Sequence, residues 1–510
     1  MTSEATRDPA IPEAPASMTS TDRLVIYLLL ATAFVVMLNE TIVSVALPRM
    51  VEELEIEPAT GQWLVTAFML TMAVVIPITG FLMRRFSTRT LFLGAISVFI
   101  AGTVIASVAG LLDSGAPVFP FIVVARVVQA AGTGVMVPLL MTTIMTLVPP
   151  HERGKMMGNI SIVMAAAPVI GPLIGGFIIN VLPWHWVFVI VLPFAVATLV
   201  IGALRMRNVT TTERVGVDVL SIVLSAVAFG GLVYGLSEFG TEAQARLTPG
   251  ALGAPIAPWI PLVVGAVALL GWVLRQLQLQ RTDRALIDLR VFASAGFTRS
   301  IIVLTVSNLI LFGTLVLLPF YIQNGLGMDP LQSALIVLPG GVLMGFAGPF
   351  VGAWYDRVGP KPLVIPGAIV TTVALGLMAL LFTDSTPWWV VTLLYVVLSI
   401  GLALQFGPLF TASLGSVEPR FYSSGSATLS TLQQVAGAAG TSLFIVIFTL
   451  TAVNSLASLG AAPTPTDLSH AYVSGTVTAM IAGTAASLIP IVLAFFVRRP
   501  TSELAGTTAH

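Results

Sequence analysis

The segment Gly352-Ala-Trp-Tyr-Asp356-Arg357-Val-Gly359-Pro-Lys361 occurs in this chain in two related copies. The earlier copy reads Gly80-Phe-Leu-Met-Arg84-Arg85-Phe-Ser87-Thr-Arg89. In each copy a glycine is followed five positions later by a basic residue, and a second basic residue follows four positions after that. Each copy comes directly after the second apolar run of a series. Internal repeats of this kind are typical of transporters that bind their substrate between two halves.

The composition around these copies is that of a membrane protein. The chain has 510 residues, of which 56% are hydrophobic and 9% are charged, and its mean hydropathy is +0.98. The surface of a water-soluble domain needs more charge than this, so the sequence predicts an all-α polytopic membrane protein. The net charge is zero, which gives no reason to expect a nucleic-acid partner.

The residue types also argue against catalysis. The chain has no cysteine, and its four histidines lie in predicted loops or at the ends, so we expect no metal site. No nucleophile–base set and no phosphate-binding loop stands out, so we expect no enzymatic activity and no cofactor.

Fourteen apolar runs have the length of a transmembrane helix. They lie at about 24–47, 62–83, 90–112, 119–147, 156–182, 186–204, 217–237, 258–275, 298–322, 331–355, 363–383, 388–414, 425–452 and 471–497.

Charge asymmetry predicts the orientation of these runs. Of the 23 Lys and Arg residues, all except Arg49, Arg246 and Arg126 fall on one side, the side of both termini. Basic loops stay in the cytoplasm, so both termini are expected there. Residues 1–22 are polar and lack the pattern of a cleavable signal peptide, so they are expected to form a disordered cytoplasmic tail.

Glu40 and Arg126 are the charged residues that lie well inside the apolar runs and not at their edges. Glu40 lies in the first run, roughly 24 Å along a helix that begins near Leu24. An ionised group at such depth costs several kcal/mol and usually marks a substrate or ion pathway, although a purely structural tie between helices is the alternative. Arg126 stays protonated and needs a partner, for which Glu40 or a carbonyl of the first run is a candidate.

Here the chain resembles the major facilitator superfamily, whose signature is the loop Gly-x-x-x-Asp-Arg-x-Gly-x-Lys. The second copy matches it closely, whereas the first has Arg84 at the Asp position and Ser87 at the second Gly. The segment from Arg126 to Gln129 is similar to the family's Arg-x-x-Gln-Gly motif. Pro168-Val-Ile-Gly171-Pro172-Leu-Ile-Gly175-Gly176 resembles the motif of its exporters. Trp184-His185-Trp186 and the start of the first run look most like fourteen-span drug:proton antiporters of the lincomycin-resistance type.

The resemblance implies two six-helix bundles, at 23–204 and 298–497, that rock around a central cavity. Two inserted helices at 205–275, a cytoplasmic linker at 276–297 and a cytoplasmic tail at 498–510 complete the chain. The linker is read either as a short interfacial helix on the cytoplasmic leaflet or as a connection with a few apolar anchors. The gate loops would be formed by Gly80, Arg85, Arg89, Gly352, Asp356, Arg357, Gly359 and Lys361. The fifth run would supply a hinge or seal, with ordinary small-residue packing as the alternative.

The expected function is proton-coupled export of lipophilic drugs across the bacterial cytoplasmic membrane by a monomer surrounded by lipid. Glu40 and Arg126 are expected to couple protons, with Asp218 as the fallback site. The candidates for substrate binding are Asn39, Glu40, Thr66, Gln129, Asn308, Gln405, Gln433 and Gln434, because amides bind varied ligands through hydrogen bonds. Export of one specific lipid or metabolite is the alternative, and a non-transporting sensor is a third possibility.

Overall fold

A computed structural model describes residues 18–111, 118–209, 212, 216–247, 253–457 and 464–499, apart from the side chains of 58, 59, 164, 165, 168, 169 and 465. The long helices within these ranges are α1 (Ser20–Glu53), α2 (Trp63–Arg85), α3 (Thr88–Ala109), α4 (Val118–Leu147), α5 (Arg153–Val181), α6 (Leu192–Arg205), α7 (Val219–Ala245), α8 (Trp259–Leu279), α9 (Ala295–Phe320), α10 (Pro330–Val358), α11 (Lys361–Leu381), α12 (Trp388–Gly415), α13 (Tyr422–Ala457) and α14 (Pro465–Ala494).

Short helical turns connect several of the long helices. One-turn helices occupy Pro58–Gly61 and Trp186–Val189, and α9 continues into a π-helical turn at Tyr321–Gly325. The 3₁₀ turns are Pro150–Glu152, Gln280–Thr282, Leu289–Ala293 and Pro419–Phe421. No strand occurs in the described part of the chain, so the predicted all-α class is confirmed.

Thirteen helices in the described ranges are long and apolar enough to cross a membrane, which makes this a multi-pass membrane protein. Of helix α5, the apolar stretch that the described residues include is Ile170–Val181. The span at α6 includes the preceding turn and runs over residues 186–205.

Two helices extend well past their predicted ends. The helix α1 was predicted to end at 47 but continues through Pro48 to Glu53, where Arg49 pairs with Glu53 at 2.6 Å. The helix α7 was predicted to end at 237 but runs to Ala245, which brings Glu238 into it. Both errors have one cause: polar residues at a helix end stop an apolar run without stopping the backbone hydrogen bonds.

The helices pack in two groups, which we call the first bundle (α1–α6) and the second bundle (α9–α14). Helix α5 packs against α10 and α12 of the second bundle, and α13 packs against α2 and α4 of the first. Helices α7 and α8 pack against each other, and α7 also contacts α2 and α13. The inserted pair therefore lies beside the seam between the bundles. The domain boundaries drawn from the sequence remain a prediction.

The seam between α5 and α10 depends on glycine. A methyl group at Gly352 would lie 2.1 Å from the carbonyl oxygen of Gly154, and one at Gly158 would lie 2.3 Å from that of Gly348. Both helices thus carry glycines four residues apart on the contact face, which lets their backbones touch. These contacts lie near the end of the molecule that holds the α2–α3 and α10–α11 loops. We call this end the basic end.

Candidate functional site

Arg126 is the centre of a buried polar cluster in the first bundle. Its side chain is 1% exposed on α4, and its Nε donates to the carbonyl of Leu64 on α2 at 3.1 Å. One terminal nitrogen donates to Gln129 Oε1 at 3.1 Å and to Asn39 Oδ1 at 3.4 Å. The guanidinium also lies 4.0 Å from the centroid of the Phe68 ring. Neutral acceptors and a π face thus surround this charge, which compensates part of the cost of burying it.

Glu40 is half-buried on α1, next to Asn39. Its carboxylate is near enough to Arg126 to interact with it electrostatically, yet no ion pair joins the two among the described residues. Of the two candidate partners that the sequence offered for Arg126, Glu40 thus acts on it through space and not through a hydrogen bond. The carbonyl that Arg126 binds belongs to α2 and not to the first run, because α2 packs directly against α4. Asn39, the neighbour of Glu40 in sequence, is the α1 residue to which Arg126 donates a hydrogen bond.

The glycines of the exporter motif pack against α1 beside Glu40. A methyl group at Gly171 would lie 1.9 Å from Thr41 Oγ1, and one at Gly175 would lie 3.2 Å from the carbonyl of Ile42. Thr41 Oγ1 donates to the carbonyl of Ala167 at 3.0 Å, which fixes this contact. At Gly176 no atom lies within 4 Å of such a methyl group.

These contacts are those of small-residue packing. Pro172 is half-buried in α5, and the side chain of Pro168 lies outside the described residues. The hinge or seal at this motif stays a prediction.

The second bundle repeats part of the Arg126 cluster without its charge. Gln405 on α12 donates to Thr371 Oγ1 on α11 at 2.9 Å, just as Gln129 on α4 donates to Thr103 Oγ1 on α3 at 2.9 Å. Three residues before each glutamine stand Arg126 and Leu402 respectively. The oxygen of Gln405 accepts from Ser307 at 2.9 Å, where that of Gln129 accepts from Arg126.

Several predicted substrate-binding residues carry polar atoms that have no protein partner. These atoms are Asn39 Nδ2, Asn308 Oδ1 and Gln433 Nε2, and each is buried. Buried polar groups normally have a hydrogen-bond partner, so these three are open to a ligand or to water. Thr66 and Gln434 are half-buried. No hydrogen bond among the described residues joins Asn308, Gln405, Gln433 or Gln434 to the Arg126 cluster.

None of the predicted substrate-binding residues lines the cavity that lies beside the inserted pair. A cavity of about 30 Å³ lies between α7, α9, α13 and α14, lined by Gln244, Phe320, Phe448, Thr449 and Tyr472 among others. It has room for water but not for a drug-sized molecule, whose sites measure some 300–1,000 Å³.

The second gate loop bridges the two bundles. Asp356, near the end of α10, accepts hydrogen bonds from the backbone amides of Gly154 at 2.7 Å and Lys155 at 2.9 Å. These amides belong to the first turn of α5, where unpaired N–H groups and the helix dipole favour an anion. Gly359 adopts a φ of 78°, which glycine tolerates, and ends α10. Arg357 and Lys361 are exposed.

The first gate loop uses different contacts. Arg84, at the Asp position of the pattern, donates to the carbonyl of Ala285 in the linker at 2.6 Å. Arg89 donates to the carbonyl of Ala203 within the first bundle at 2.6 Å, and Arg85 is exposed. A methyl group at Gly80 would lie 3.2 Å from Ala427 Cβ on α13. Gly80 therefore permits the close approach of α2 and α13, while no acid caps α13 from α2.

Asp218 does not suit the role of a fallback proton site. It caps α7 and binds Arg275 of α8 through both carboxylate oxygens, at 2.7 and 2.6 Å, and Ser221 also donates to it. The hydrogen bond from the Arg275 guanidinium lowers the pKa of Asp218 to about 2. The carboxylate stays ionised at physiological pH and cannot cycle a proton there.

The sequence reading missed three features. Gly154 and Gly158 face Gly348 and Gly352 at the α5–α10 seam, and the repeated four-residue spacing was the available signal. Glu238 is a second buried acid, 9% exposed on α7. It lies one turn after Tyr234 on the same helix, and the ring of Tyr234 stacks on Trp63 with 6.2 Å between the ring centroids. The third feature is the burial of four consecutive linker residues, Ala285 to Asp288, which are each 1–3% exposed.

The two bundles, their repeated polar clamps and the contacts at the basic end are typical of a membrane transporter. The family model of the Major Facilitator Superfamily matches residues 29–441, and the chain belongs to this superfamily. The resemblance stated from the sequence is thus confirmed. The chain is 36% identical over 471 residues to the lincomycin resistance protein LmrB of Bacillus subtilis, covering 92% of this chain and 95% of that protein.

Other similar proteins extend the comparison. A multidrug resistance protein B homolog of Mycobacterium tuberculosis is 29% identical over 413 residues, which cover 80% of this chain and 73% of that protein. The fold is similar to that of the human organic anion transporter MFSD10, with a TM-score of 0.64 and 15% identity, covering 93% of this chain and 100% of that one. The proton:xylose symporter XylE gives a TM-score of 0.60 at 15% identity, with 96% of this chain and 100% of that one covered.

Proposed function

We propose that this transporter is a proton-coupled antiporter that exports lipophilic small molecules across the bacterial cytoplasmic membrane. The observation that carries the proposal is the half-buried carboxylate of Glu40, which lies in the field of the buried Arg126 charge without a direct ion pair. The similarity to a lincomycin resistance protein and to a multidrug resistance protein homolog supports drugs as the substrate class.

Coupling follows from the chemistry of this pair. Arg126 keeps its proton, so it is a fixed positive charge, whereas a carboxylic acid gains or loses a proton as its surroundings change. When the helices move, the distance from Glu40 to Arg126 and the hydration of Glu40 change together. Proton uptake from one side and release to the other can then be tied to the position of α1.

The described state corresponds to a transporter whose cytoplasmic entrance is closed, if the basic end is cytoplasmic as the charge asymmetry predicts. The bundles meet there through Asp356 on the amides of α5 and through Thr142, whose Oγ1 lies 2.6 Å from Ser426 Oγ. We place fourteen spans in the membrane with both termini in the cytoplasm. Cysteine tags should check this: Glu57→Cys should react with an impermeant maleimide in sealed cells and Ser87→Cys should not.

The substrate chemistry follows from the polar atoms that have no partner. Asn39 Nδ2 and Gln433 Nε2 offer donors and Asn308 Oδ1 offers an acceptor, which suits a lipophilic molecule with a few hydrogen-bonding groups. Glu40 provides one negative charge when ionised. Neutral or monocationic compounds therefore fit better than dications.

Efflux from inverted vesicles tests the proposal. A panel of neutral, monocationic and dicationic drugs is added with a proton-sensitive dye, and wild-type protein is compared with Glu40→Gln. We expect proton-driven uptake of neutral and monocationic drugs into the vesicles by the wild type, with release of protons from them. Transport without proton movement would refute antiport, and transport of a single compound class would favour an exporter of one specific lipid or metabolite.

A further inference from the structure

The linker between α8 and α9 contains a segment that is as buried as the core. The residues Ala285, Leu286, Ile287 and Asp288 are each 1–3% exposed. Connecting segments normally run over the surface, because buried backbone needs partners for its polar groups. This segment of the linker, which we call the latch (Ala285–Asp288), is therefore held by specific contacts.

Three hydrogen bonds attach the latch to three different parts of the molecule. Arg84 of α2 donates to the carbonyl of Ala285 at 2.6 Å. The amide of Leu286 donates to Gln276 Oε1 of α8 at 2.7 Å, and the amide of Asp288 donates to Ser424 Oγ of α13 at 3.2 Å. The first bundle, the inserted pair and the second bundle are thus joined through four consecutive residues.

Apolar contacts follow the same division. Leu286 packs with Phe81 of α2. Ile287 belongs to a cluster with Ala73 of α2, Trp272 of α8 and Ala427 of α13. The side chains of the latch thus fill the space between elements that must separate if the bundles move apart at this end.

The inserted helices hold the latch in place. Gln276, which binds the latch amide, donates from its Nε2 to Ser221 Oγ at 2.8 Å, and Ser221 in turn is bound to Asp218. Asp218 is fixed by both of its contacts to Arg275. Asp288 is held from the other side by Arg290, at 2.6 Å. This gives the inserted pair a physical role at the basic end.

The latch lies where the first gate loop departs from its pattern. The second gate closes with the carboxylate of Asp356 on the first turn of α5. The first gate has Arg84 in the corresponding place, and an arginine cannot accept these amide hydrogen bonds. It needs an acceptor, and the carbonyl of Ala285 supplies one.

We infer that the latch replaces the missing acid of the first gate, so that it clamps the two bundles at the basic end and must leave its place for this end to open. The inference rests on alternating access as stated under Proposed function. It assigns Arg84, Gln276 and Ser424 as positioning residues of the latch, since none of them needs to touch the substrate.

Thiol labelling tests the latch without any transport assay. The natural chain has no cysteine, so Leu286→Cys reports on the latch alone. A matched control is Leu363→Cys, which is equally buried at the basic end but lies inside the second bundle. We expect Leu286→Cys to react slowly with a permeant maleimide and several-fold faster once Asp356→Asn weakens the other gate, while Leu363→Cys does not change. An unchanged rate at Leu286→Cys, or an equal rise at both sites, would overturn the inference.

Crosslinking tests the consequence for transport. A short cleavable bis-thiol reagent joins Arg84→Cys to Ala285→Cys in one variant and Arg89→Cys to Ala203→Cys in the other. Both pairs replace an arginine–carbonyl contact of 2.6 Å, but the second lies within the first bundle. Each variant is compared with itself before bridging. We expect the bridge to lower efflux more than tenfold in the first pair, with recovery on cleavage, and to leave the efflux of the second pair as it was before bridging. Full efflux by the first pair after bridging would refute the inference about the latch. Absent efflux by the wild-type protein would instead refute the proposed function, and the thiol-labelling experiment would then test the latch by itself.

Discussion

At the scale of single residues, the two halves share a polar clamp and differ in charge. The glutamine–threonine contact occurs at 2.9 Å in both bundles. The first bundle adds Arg126 three residues before its glutamine, where the second has Leu402. Because the clamp alone is sufficient to tie two helices, the added charge needs a further reason. Its position beside Glu40 favours proton coupling as that reason.

Replacing Glu40 by glutamine should uncouple export from the proton gradient. The change removes the titratable group but keeps its size and hydrogen bonding, so we expect uphill export to be lost and substrate binding to remain. Glu40→Asp should keep partial activity. The measurement is substrate-induced proton release from purified protein across pH, together with uphill uptake into inverted vesicles.

The matched control for this prediction is Glu238→Gln. Glu238 is also a buried acid in a helix, but it lies on the inserted helix α7 and not in the first bundle. We expect the control to keep uphill export. The reverse result, with Glu238→Gln inactive and Glu40→Gln normal, would move the coupling site to the inserted pair.

What the sequence revealed at this scale was the charge itself. Glu40 and Arg126 are visible because they interrupt apolar runs. Their partners were not visible, because the carbonyl of Leu64 and the amide of Asn39 come from helices distant in sequence. Glu238 was missed because a polar stretch ended the predicted run at 237, eight residues before the helix ends at Ala245.

At the scale of helices, α5 uses glycines against two partners. Gly154 and Gly158 let it touch α10 of the second bundle, while Gly171 and Gly175 let it touch α1 beside Glu40. One rigid element thus connects the seam between the bundles to the helix that carries the carboxylate. Spacing alone predicted small-residue packing here, but it could not identify which neighbour each glycine meets.

Substituting alanine at two neighbouring glycines of α5 should give opposite results. A methyl group at Gly171 meets Thr41 Oγ1 at 1.9 Å, so Gly171→Ala should overpack the α1–α5 contact at a cost of about 1–3 kcal/mol. At Gly176 that space is open, so Gly176→Ala should be neutral or stabilising through its higher helix propensity. Thermal unfolding in detergent measures both, and equal melting temperatures for the two variants would contradict this packing.

The ion pair that joins α7 to α8 should stabilise the protein over the whole physiological pH range. Its hydrogen bonds to Arg275 hold the pKa of Asp218 at about 2, below its ordinary value of 3.8. An acid whose pKa is lower in the folded state than in the unfolded state stabilises the fold. This contribution is complete when the pH is above the ordinary pKa, and it is lost as the pH falls toward the lowered pKa.

The stability difference between wild type and Asp218→Asn should therefore be constant from about pH 5 to 8 and shrink below about pH 4. Thermal unfolding across pH measures it. A difference that changed near neutral pH would show that Asp218 titrates there.

At the scale of the whole molecule, the gates at the basic end are unequal. In one gate the carboxylate of Asp356 binds the N-terminus of α5. In the other, Arg84 binds a carbonyl of the latch. The sequence predicted both loops, because their pattern repeats, and it flagged Arg84 as a departure. The sequence could not show which residues compensate for Arg84 in the first gate. The latch lies 201 residues further along the chain and has no helical or apolar periodicity of its own.

The substitution Arg84→Asp, which restores the family pattern, should slow export. The new carboxylate would face the carbonyl of Ala285, so two acceptors would meet where a hydrogen bond of 2.6 Å existed. We expect slower export than for the neutral variant Arg84→Gln, measured as initial efflux rates at matched expression. Faster export by Arg84→Asp would mean that the acid finds the amides of α13 and that the latch is dispensable.

Weakening the acid gate should change the rate of turnover rather than affinity, because Asp356 joins the bundles and lies at the basic end, away from the candidate binding residues. Asp356→Asn keeps one acceptor oxygen but loses the charge that the first turn of α5 favours. The closed state should lose stability, export should slow several-fold, and ligand affinity should stay within a few-fold. Asp329→Asn is the control, because Asp329 caps its own helix and asparagine caps equally well. Transport rates and ligand binding are measured on both variants. A collapse of affinity with a normal turnover rate in Asp356→Asn would mean that this carboxylate shapes the binding site, and the basic end would then have to be closed by the latch alone.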